Sequence, residues 1–403
     1  MKIYKTEQEN PMRSGSNTWF MQGFGHMEHQ NKRQICCFCE TWESGGIESF
    51  LYNVLTRIDL THLEIDLVAA EIRESIFTAE LQKKGVQFYE LSGSPRRLFQ
   101  NWITFQKLLR QRKYDVVHFN VFHGLSLVYV QLAKQADVPI RIVHGHGSGL
   151  RHSRTQWVKL RVHQLGKMLF SNAATDRWAC SSVAAAFIFP QCIIKQGRYQ
   201  WIPNGIEISR FCFQPQERKR LREKMGLLHK FVIGHVGRLS EEKNQMFLLD
   251  VFSELHKCCP ESRLLLIGDG PMKFSLQQRA DELGIAKYVN FFGATTQVPQ
   301  LLWAMDAFVF PSLFEGLGIA GIEAQAAGLP VFCSDHIPAE ARVSSQFYRL
   351  SLRDAPSKWA EAIQAVARHK GDRCRGAEQV RAAGFEITEV ARKIEIAYGG
   401  HVQ

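Results

Sequence analysis

From Ile35 onward the chain alternates short, almost wholly apolar runs with longer segments in which apolar residues recur every three or four positions. ICCFCE (Ile35–Glu40) predicts a buried strand, TWESGG a turn and IESFLYNVLTRI an amphipathic helix. The unit then repeats. Strands are expected over Ile65–Ala70, at VQFYEL, over Tyr114–Phe119 and at PIRIVHGHG; helices are expected over IRESIFTAELQKKG, Asn101–Arg112 and Gly124–Gln135. A second series opens near Phe231 with FVIGHVGRLS and continues through a helix over Asn244–Leu255, RLLLIGDG, a helix over Phe274–Leu283 and VNFFG. A short helix over Val298–Met305, the strand DAFVFPS, the helix LGIAGIEAQAA and the strand LPVFCS complete it. Strands this uniformly apolar belong to parallel sheets covered by helices on both faces.

Because that grammar occurs twice, the expected fold class is α/β, with two doubly wound domains facing each other across a cleft. The first is placed at 32–205 and the second at 206–384, with the connection near WIPNGIEIS at 201–209. Ligands of such sheets bind outside the carboxyl ends of the strands. Residues 1–31 lack the continuous apolar segment of a signal peptide and read as a flexible tail. Residues 385–403, with FEITEVARKIEIAYGG, read as a helix that comes too late for the second series and can cross back to the first domain.

Composition narrows the class. Apolar residues make up 45% of the 403 and charged residues 22%, which is a globular balance. No run of 18 apolar residues occurs, so cytoplasmic residence is the default expectation. Among ten cysteines, Cys36, Cys37, Cys39, Cys258, Cys259 and Cys333 lie in or beside apolar runs and are expected as reduced core residues. CCFC is too tightly spaced along a strand to turn all its thiolates to one zinc ion, and no second CxxC is present.

The formal charge is +11, and Arg141 to Gln200 hold nine Lys or Arg against the single acid Asp176. Such a segment suits an anionic membrane surface, a lipid-linked phosphate acceptor or nucleic acid, or it is simply a solvated basic helix. No aromatic base-reading motif or zinc-finger spacing accompanies it, so no nucleic acid partner is expected.

The chemistry concentrates in SLFEGLGIAGIEAQAAG. A helix starting near Leu317 or Gly318 would leave backbone N–H groups free at its mouth for an anion or sugar oxygens, with Gly316 and Gly318 permitting close approach. Glu315 sits at that mouth and Glu323 farther along the helix, so the two carboxylates can grip hydroxyls at different points of an extended ligand. The plain alternative is a capping Glu315 and a solvent-facing Glu323. GHVGRLSEEKN places Arg238 just beyond a strand and Lys243 near the next helix, where both can converge on a diphosphate. Gly45 and Gly46 follow the first strand without a GxGxxG, and IGDG, with Gly268 and Gly270, lacks the GK[ST] of a Walker loop. Neither a dinucleotide site nor a P-loop is therefore indicated. His118, Asn120 and His123 cluster in YDVVHFNVFHG, and His144 and His146 in RIVHGHG, all at strand exits where they can line an acceptor cleft. No D-x-D, the usual two-carboxylate metal device for sugar nucleotides, occurs.

GGIESFL, YDVVHFN, RIVHGHG, IPNGIE, GHVGRLSEEKN, LLLIGDG and EGLGIAGIE followed by AQAAGLPVFCSD together resemble the retaining glycosyltransferases of GT-B type. These have two Rossmann-like domains; the likeness is to family 4, the large group that builds bacterial capsules, exopolysaccharides and lipopolysaccharides. It covers about Ile35 to Ala397. The resemblance implies a UDP- or GDP-sugar donor, no tightly bound cofactor, no metal, and a glycan or polyprenyl-linked acceptor. It also implies a cytoplasmic enzyme that can attach peripherally to the inner face of the membrane. By the same carry-over Arg238 and Lys243 meet the diphosphate, Glu315 the transferred sugar and Glu323 the ribose. Backbone at Leu317, Gly318 and Ile319 approaches sugar and phosphate, and Gly45, Gly46, Gly268 and Gly270 lie near the donor. The family commonly has H-x-H where this chain has His118–Phe119–Asn120. Asn120 can bond a hydroxyl but supplies no imidazole chemistry, which leaves His123 a candidate for that role. A sugar-nucleotide epimerase or hydrolase, or an inactive sugar-binding scaffold, remains the alternative.

Overall fold

The computed structural model of the chain describes residues 2–4, 32–43, 45–121, 123–149, 156–367 and 372–399. Its first sheet contains β1 (Lys2–Tyr4), β2 (Arg33–Trp42), β3 (Leu63–Ile72), β4 (Gln87–Glu90), β5 (Val116–Val121), β6 (Ile140–Gly145), β7 (Asp176–Ala179) and β8 (Gln200–Trp201). Their order is β1-β4-β3-β2-β5-β6-β7-β8, parallel throughout except that β1 runs antiparallel to β4. The second sheet holds β9 (Phe231–Val236), β10 (Ser262–Ile267), β11 (Val289–Gly293), β12 (Ala307–Phe310), β13 (Val331–Ser334) and β14 (Phe347–Leu350). It is all parallel, in the order β11-β10-β9-β12-β13-β14. In both sheets the chain leaves the centre in one direction and then returns to build the other, so each has a switch point at its carboxyl edge.

At the start of the chain the structure departs from the sequence reading. Lys2–Tyr4, placed in the tail, add an edge strand to β4, while residues 5–31 and the tail call made for them lie outside the described residues. β2 runs through Thr41 and Trp42, where a turn was expected, because Trp42 is fully buried and donates its indole N–H to Thr78 at 2.9 Å. The packing value of that indole outweighs the local turn signal of the Gly-Gly that follows it.

The alternation of strand residues sorts the first core. Cys37, Leu67 and Phe88 face one helical layer; Cys36, Phe38, Val117 and Phe119 face the other. Cys36, Cys37, Cys39 and Cys333 are buried as expected, but Cys258 is exposed and Cys259 only half-buried, since both fall where their helix ends at the surface. The last helix, Ile387–Ala397, packs on the first domain's helix Gly46–Leu55 through Ile387, Val390 and Ile394, and Tyr398 beyond it is completely buried there. Outgoing and returning chain lie side by side: Ile206 N–H donates to Phe385 O at 2.8 Å and Ile387 N–H to Ile206 O at 3.0 Å. A Cβ on Gly205 would stand 2.8 Å from Ile387 Cα, so only glycine allows this close pairing. No helix among the described residues is long and apolar enough to cross a membrane.

Candidate active site

β12 ends at Phe310, and the segment Pro311–Gly318 carries the chain to a helix that begins at Ile319. Gly318 has φ +83°, and a Cβ there would press against the Phe310 ring at 3.2 Å, so glycine is required to start the helix where it does. Leu317 is buried and anchors the loop, while Ile319 is half-buried. Among the described residues the N–H groups of Gly316, Leu317, Gly318 and Ile319 have no hydrogen-bond acceptor. They form a set of donors at the positive end of the helix.

Glu315 is held rather than free. Its Oε1 accepts from Lys243 Nζ at 2.6 Å and from Ser312 Oγ at 2.8 Å, with the side chain 13% exposed. Lys243 reaches it from a 3-10 turn at Glu241–Lys243, closed by Asn244 in the left-handed region at φ +53°. Asn244 then ties the two segments together, donating to Pro311 O at 3.2 Å, while Leu313 N–H donates to Glu242 O at 2.8 Å. Sequence reasoning separated a carboxylate loop from a cation loop; the structure makes them one unit.

Arg238 stands beside that unit, exposed, its guanidinium in no hydrogen bond among the described residues. Its charge is felt by Glu48 of the first domain. Glu48 is buried in the opening turn of the helix Gly46–Leu55, and loss of hydration raises its pKa, while the backbone N–H groups of Glu48 and Glu43 and, least of all, Arg238 pull the other way. Glu48 carried no distinguishing sequence signal. Its carboxylate folds back onto Gly45, whereas a Cβ on Gly46 would meet open space.

Gly268 and Gly270 are required by packing within the second domain. Cβ atoms there would lie 2.0 Å from Gly237 O and 2.4 Å from Leu239 O. Their bareness lets the β10 exit pack directly under the loop that presents Arg238, fixed further by Leu239 N–H donating to Asp269 O at 2.9 Å.

Glu323 projects from the second turn of its helix, half-buried, and lost hydration pushes its carboxyl up to about 7 despite Arg210 nearby. It is therefore poised near neutrality, a state suited to hydrogen-bonding a hydroxyl in either protonation form.

The opposing lobe meets the Glu315 loop through backbone. Ser148 Oγ donates to Glu315 O at 2.5 Å, Ser181 Oγ donates to Gly316 O, and Ser182 N–H donates to Glu340 at 2.6 Å. A Cβ on Gly316 would fall 1.8 Å from His146 O, so the lobes touch at glycine. Ser148 and Ser181 were missed in sequence: lone serines after strands have no spacing that marks them.

The histidines form an internal network. His144 Nε2 donates to Ile202 O at 3.0 Å; its Nδ1 must then accept from His118 Nε2, 3.3 Å away. His118 Nδ1 in turn accepts the Tyr398 hydroxyl at 2.7 Å. His146 Nε2 lies 2.9 Å from Asn120 Oδ1 and its Nδ1 3.1 Å from Asn204 Oδ1; a neutral ring donates to one of these amides and accepts from the other, turned to present its NH2. Burial drives His118 and His146 down to about 3 and His144 well below its usual value, so all three are neutral at pH 7. Asn120 therefore braces His146 rather than reaching out of the strand. His123 is separate: it pairs with Glu40 at 3.2 Å and with Ser126 at 3.1 Å. Burial opposes its protonation, but the Glu40 charge outweighs that and raises its pKa. His123 thus does not enter the position beside His146 that Asn120 fills.

Among the described residues no group of three or more His, Cys, Asp or Glu side chains is placed to hold a metal ion.

The family model for Glycosyl transferases group 1 matches residues 217–381, and that for Glycosyltransferase Family 4 matches residues 44–210. EpsF of Bacillus subtilis (strain 168), named as a glycosyltransferase, is 28% identical over 329 residues, covering 80% of this chain and 85% of its own. The UDP-Gal:alpha-D-GlcNAc-diphosphoundecaprenol alpha-1,3-galactosyltransferase of Escherichia coli is 28% identical over 310 residues, 73% of this chain and 78% of its own. Anabaena HepE, solved in complex with UDP and glucose, superposes with a TM-score of 0.72 at 21% identity over 91% of this chain and 99% of that one. Each lobe is thus matched by a glycosyltransferase model, relatives align along most of their length, and the two-sheet architecture is shared: the chain belongs to the family 4 glycosyltransferases of GT-B fold.

Proposed function

We propose that the protein moves a hexosyl group, with retained anomeric configuration, from a nucleotide sugar to a hydroxyl of a glycan or lipid-linked glycan in surface polysaccharide synthesis. The observation that carries this reading is the joining of Lys243 to Glu315 at 2.6 Å beside exposed Arg238 and a row of free N–H donors. A UDP- or GDP-sugar seated there would place its diphosphate between Arg238, Lys243 and the helix start, and its sugar hydroxyls at Glu315. Glu323 would take the ribose. As the bond from the anomeric carbon to the diphosphate oxygen breaks, the negative charge that grows on the leaving group meets fixed cations and dipoles. The acceptor oxygen bonds to the same face of that carbon, and its proton passes to an oxygen of the departing diphosphate. No histidine is required as base, consistent with the neutral, internally bonded His118, His144 and His146.

The names of similar proteins support the donor and acceptor classes. HepE was solved with UDP and with UDP-glucose, and the galactosyltransferase of Escherichia coli is named for a UDP donor and a diphosphoundecaprenol-linked acceptor. Cationic stabilisation by Arg238 and Lys243 supports a metal-independent reaction. A lipid-linked acceptor also favours attachment at the inner face of the cell membrane. Incubation with a panel of UDP- and GDP-sugars and crude lipid-linked glycans, read by mass spectrometry, tests the proposal. Sugar transfer to the glycan is the expected product. Free sugar or an epimerised donor in its place would instead indicate a hydrolase or epimerase.

A further inference from the structure

The helix Gln156–Phe170 is turned the opposite way from an ordinary surface helix. Its inward positions are polar or bare: His163 accepts from Gly124 N–H at 2.8 Å and donates to Phe187 O at 2.9 Å, and Lys167 donates to Ala186 O at 2.8 Å. Gly166 packs backbone to backbone on Gly124, where a Cβ would come 2.3 Å from the Gly124 carbonyl oxygen. Its outward positions are mostly apolar, with Lys159, Arg161 and Gln164 exposed among them. Trp157 and Met168 are each 72% exposed, Leu169 59% and Leu165 56%, with Leu160 beside them. Such inversion leaves several large side chains in water, at a cost that only a second apolar phase or partner recovers.

Charge indicates which. The helices Leu98–Arg112, Leu127–Gln135 and Gln156–Phe170 pack side by side in one layer over the first sheet, and together they hold seven Lys or Arg and no Asp or Glu. Lys159 and Arg161 are exposed among the apolar residues, and Phe99 and Ile103 are 76% and 70% exposed on the first of these helices. A second copy of this chain would bring like charge against like charge. Residues 5–31, with two Lys or Arg and three Glu, offer little complement. An anionic bilayer offers both an acyl boundary for the apolar side chains and headgroup charge for the bases.

We propose that the exposed face of Gln156–Phe170 lies in the interface of an anionic lipid bilayer, Trp157, Leu165, Met168 and Leu169 entering the acyl boundary while Lys159 and Arg161 meet phosphate headgroups. This gives the membrane-attachment part of the proposed function its structural element and rests on none of the donor chemistry. In a parallel β-α-β unit the helix begins at the carboxyl edge of the preceding strand, so the Trp157 end of this one stands on the cleft side of the domain.

Flotation of the full-length protein with phosphatidylcholine vesicles, with and without phosphatidylglycerol, tests it. The wild type is expected to float with the anionic vesicles. Leu165→Glu with Met168→Glu, at positions too exposed to disturb folding, is expected to lower the bound fraction at least about tenfold, and Lys159→Glu with Arg161→Glu to abolish the preference for phosphatidylglycerol. Transfer to a water-soluble acceptor stays unchanged in both variants. Equal flotation of wild type and Leu165→Glu/Met168→Glu overturns the assignment. So does light scattering that shows a wild-type dimer made monomeric by that pair, since a second copy then covers the face. Normal flotation with no transfer from any donor would refute the transferase reading and leave this one standing.

Discussion

Replacing Lys243 by alanine separates two roles that one contact combines. Lys243 and Glu315 are 2.6 Å apart, with side chains 25% and 13% exposed. At an effective dielectric near 20 their attraction is about 6 kcal/mol, but most of that offsets the hydration both groups surrender. The net loss of stability in Lys243→Ala should be about 1–3 kcal/mol, because Glu315 keeps only the Ser312 hydroxyl at 2.8 Å. Loss of a fixed cation facing the departing diphosphate costs about 3–4 kcal/mol in the transition state, so kcat/KM should fall about 10²- to 10³-fold. Adding Glu315→Gln removes the unpaired carboxylate while leaving an acceptor for Ser312. The double variant should therefore recover much of the stability and none of the activity. Urea unfolding and initial rates of nucleotide release with acceptor present measure the two quantities. If transfer by Lys243→Ala stays within about threefold of wild type, or if activity returns together with stability, the lysine is only a strut for the Glu315 loop.

Gly316→Ala should cut transfer at least about tenfold with little change in unfolding, since a Cβ 1.8 Å from His146 O forces the lobes apart; a larger radius of gyration by X-ray scattering checks it. Gly268→Ala should instead destabilise the second domain, by about 3 kcal/mol or more, because φ is +130° and Gly237 O would be 2.0 Å away. His118 and His146 titrate near 3 folded against the ordinary 6.5, so the unfolded chain binds protons the native one refuses. Stability is then fully present above pH 6.5 and declines as pH falls toward 3, by up to about 1.4 kcal/mol per pH unit for each, readable as urea midpoints across that window. Glu323 has the opposite sign: its carboxyl is raised to about 7, so stability present below 4.5 is lost as pH rises through 7, and Glu323→Gln should flatten that part of the profile.

The twofold strand and helix grammar was legible because both sheets are parallel and covered, which forces nearly every strand residue to be apolar. Ends were less so. Trp42 continues β2 into a segment whose glycines advertise a turn, and β3 reaches Ile72, into what periodicity assigned to a helix. Local composition reports the glycines; it does not report that an indole three residues before them is itself buried and bonded to Thr78. The helix Gln156–Phe170 shows the limit most plainly. Its apolar period is visible in the sequence, yet the direction it faces is decided by His163, Lys167 and Gly166, three residues whose partners lie at Gly124, Ala186 and Phe187.

The site divides along the same line. Arg238, Lys243, Glu315 and the glycines around Leu317 were readable because each lies at a strand exit, where a doubly wound sheet presents whatever follows. Contacts between such exits were not, because they depend on how two lobes meet: Ser148 with Glu315 O and Ser181 with Gly316 O. The histidines illustrate why a residue type at the right place is insufficient. His118, His144 and His146 all sit near the carboxyl edge of β5 and β6, but their ring nitrogens are already committed to Tyr398, Ile202, Asn120, Asn204 and one another. With His144 donating to a carbonyl, each successive proton position follows, ending at a hydroxyl from the crossing C-terminal segment. Asn120 stands at the position where an acid–base group was sought, its amide oxygen 2.9 Å from Nε2 of the neutral His146, so that ring too is committed inside the domain.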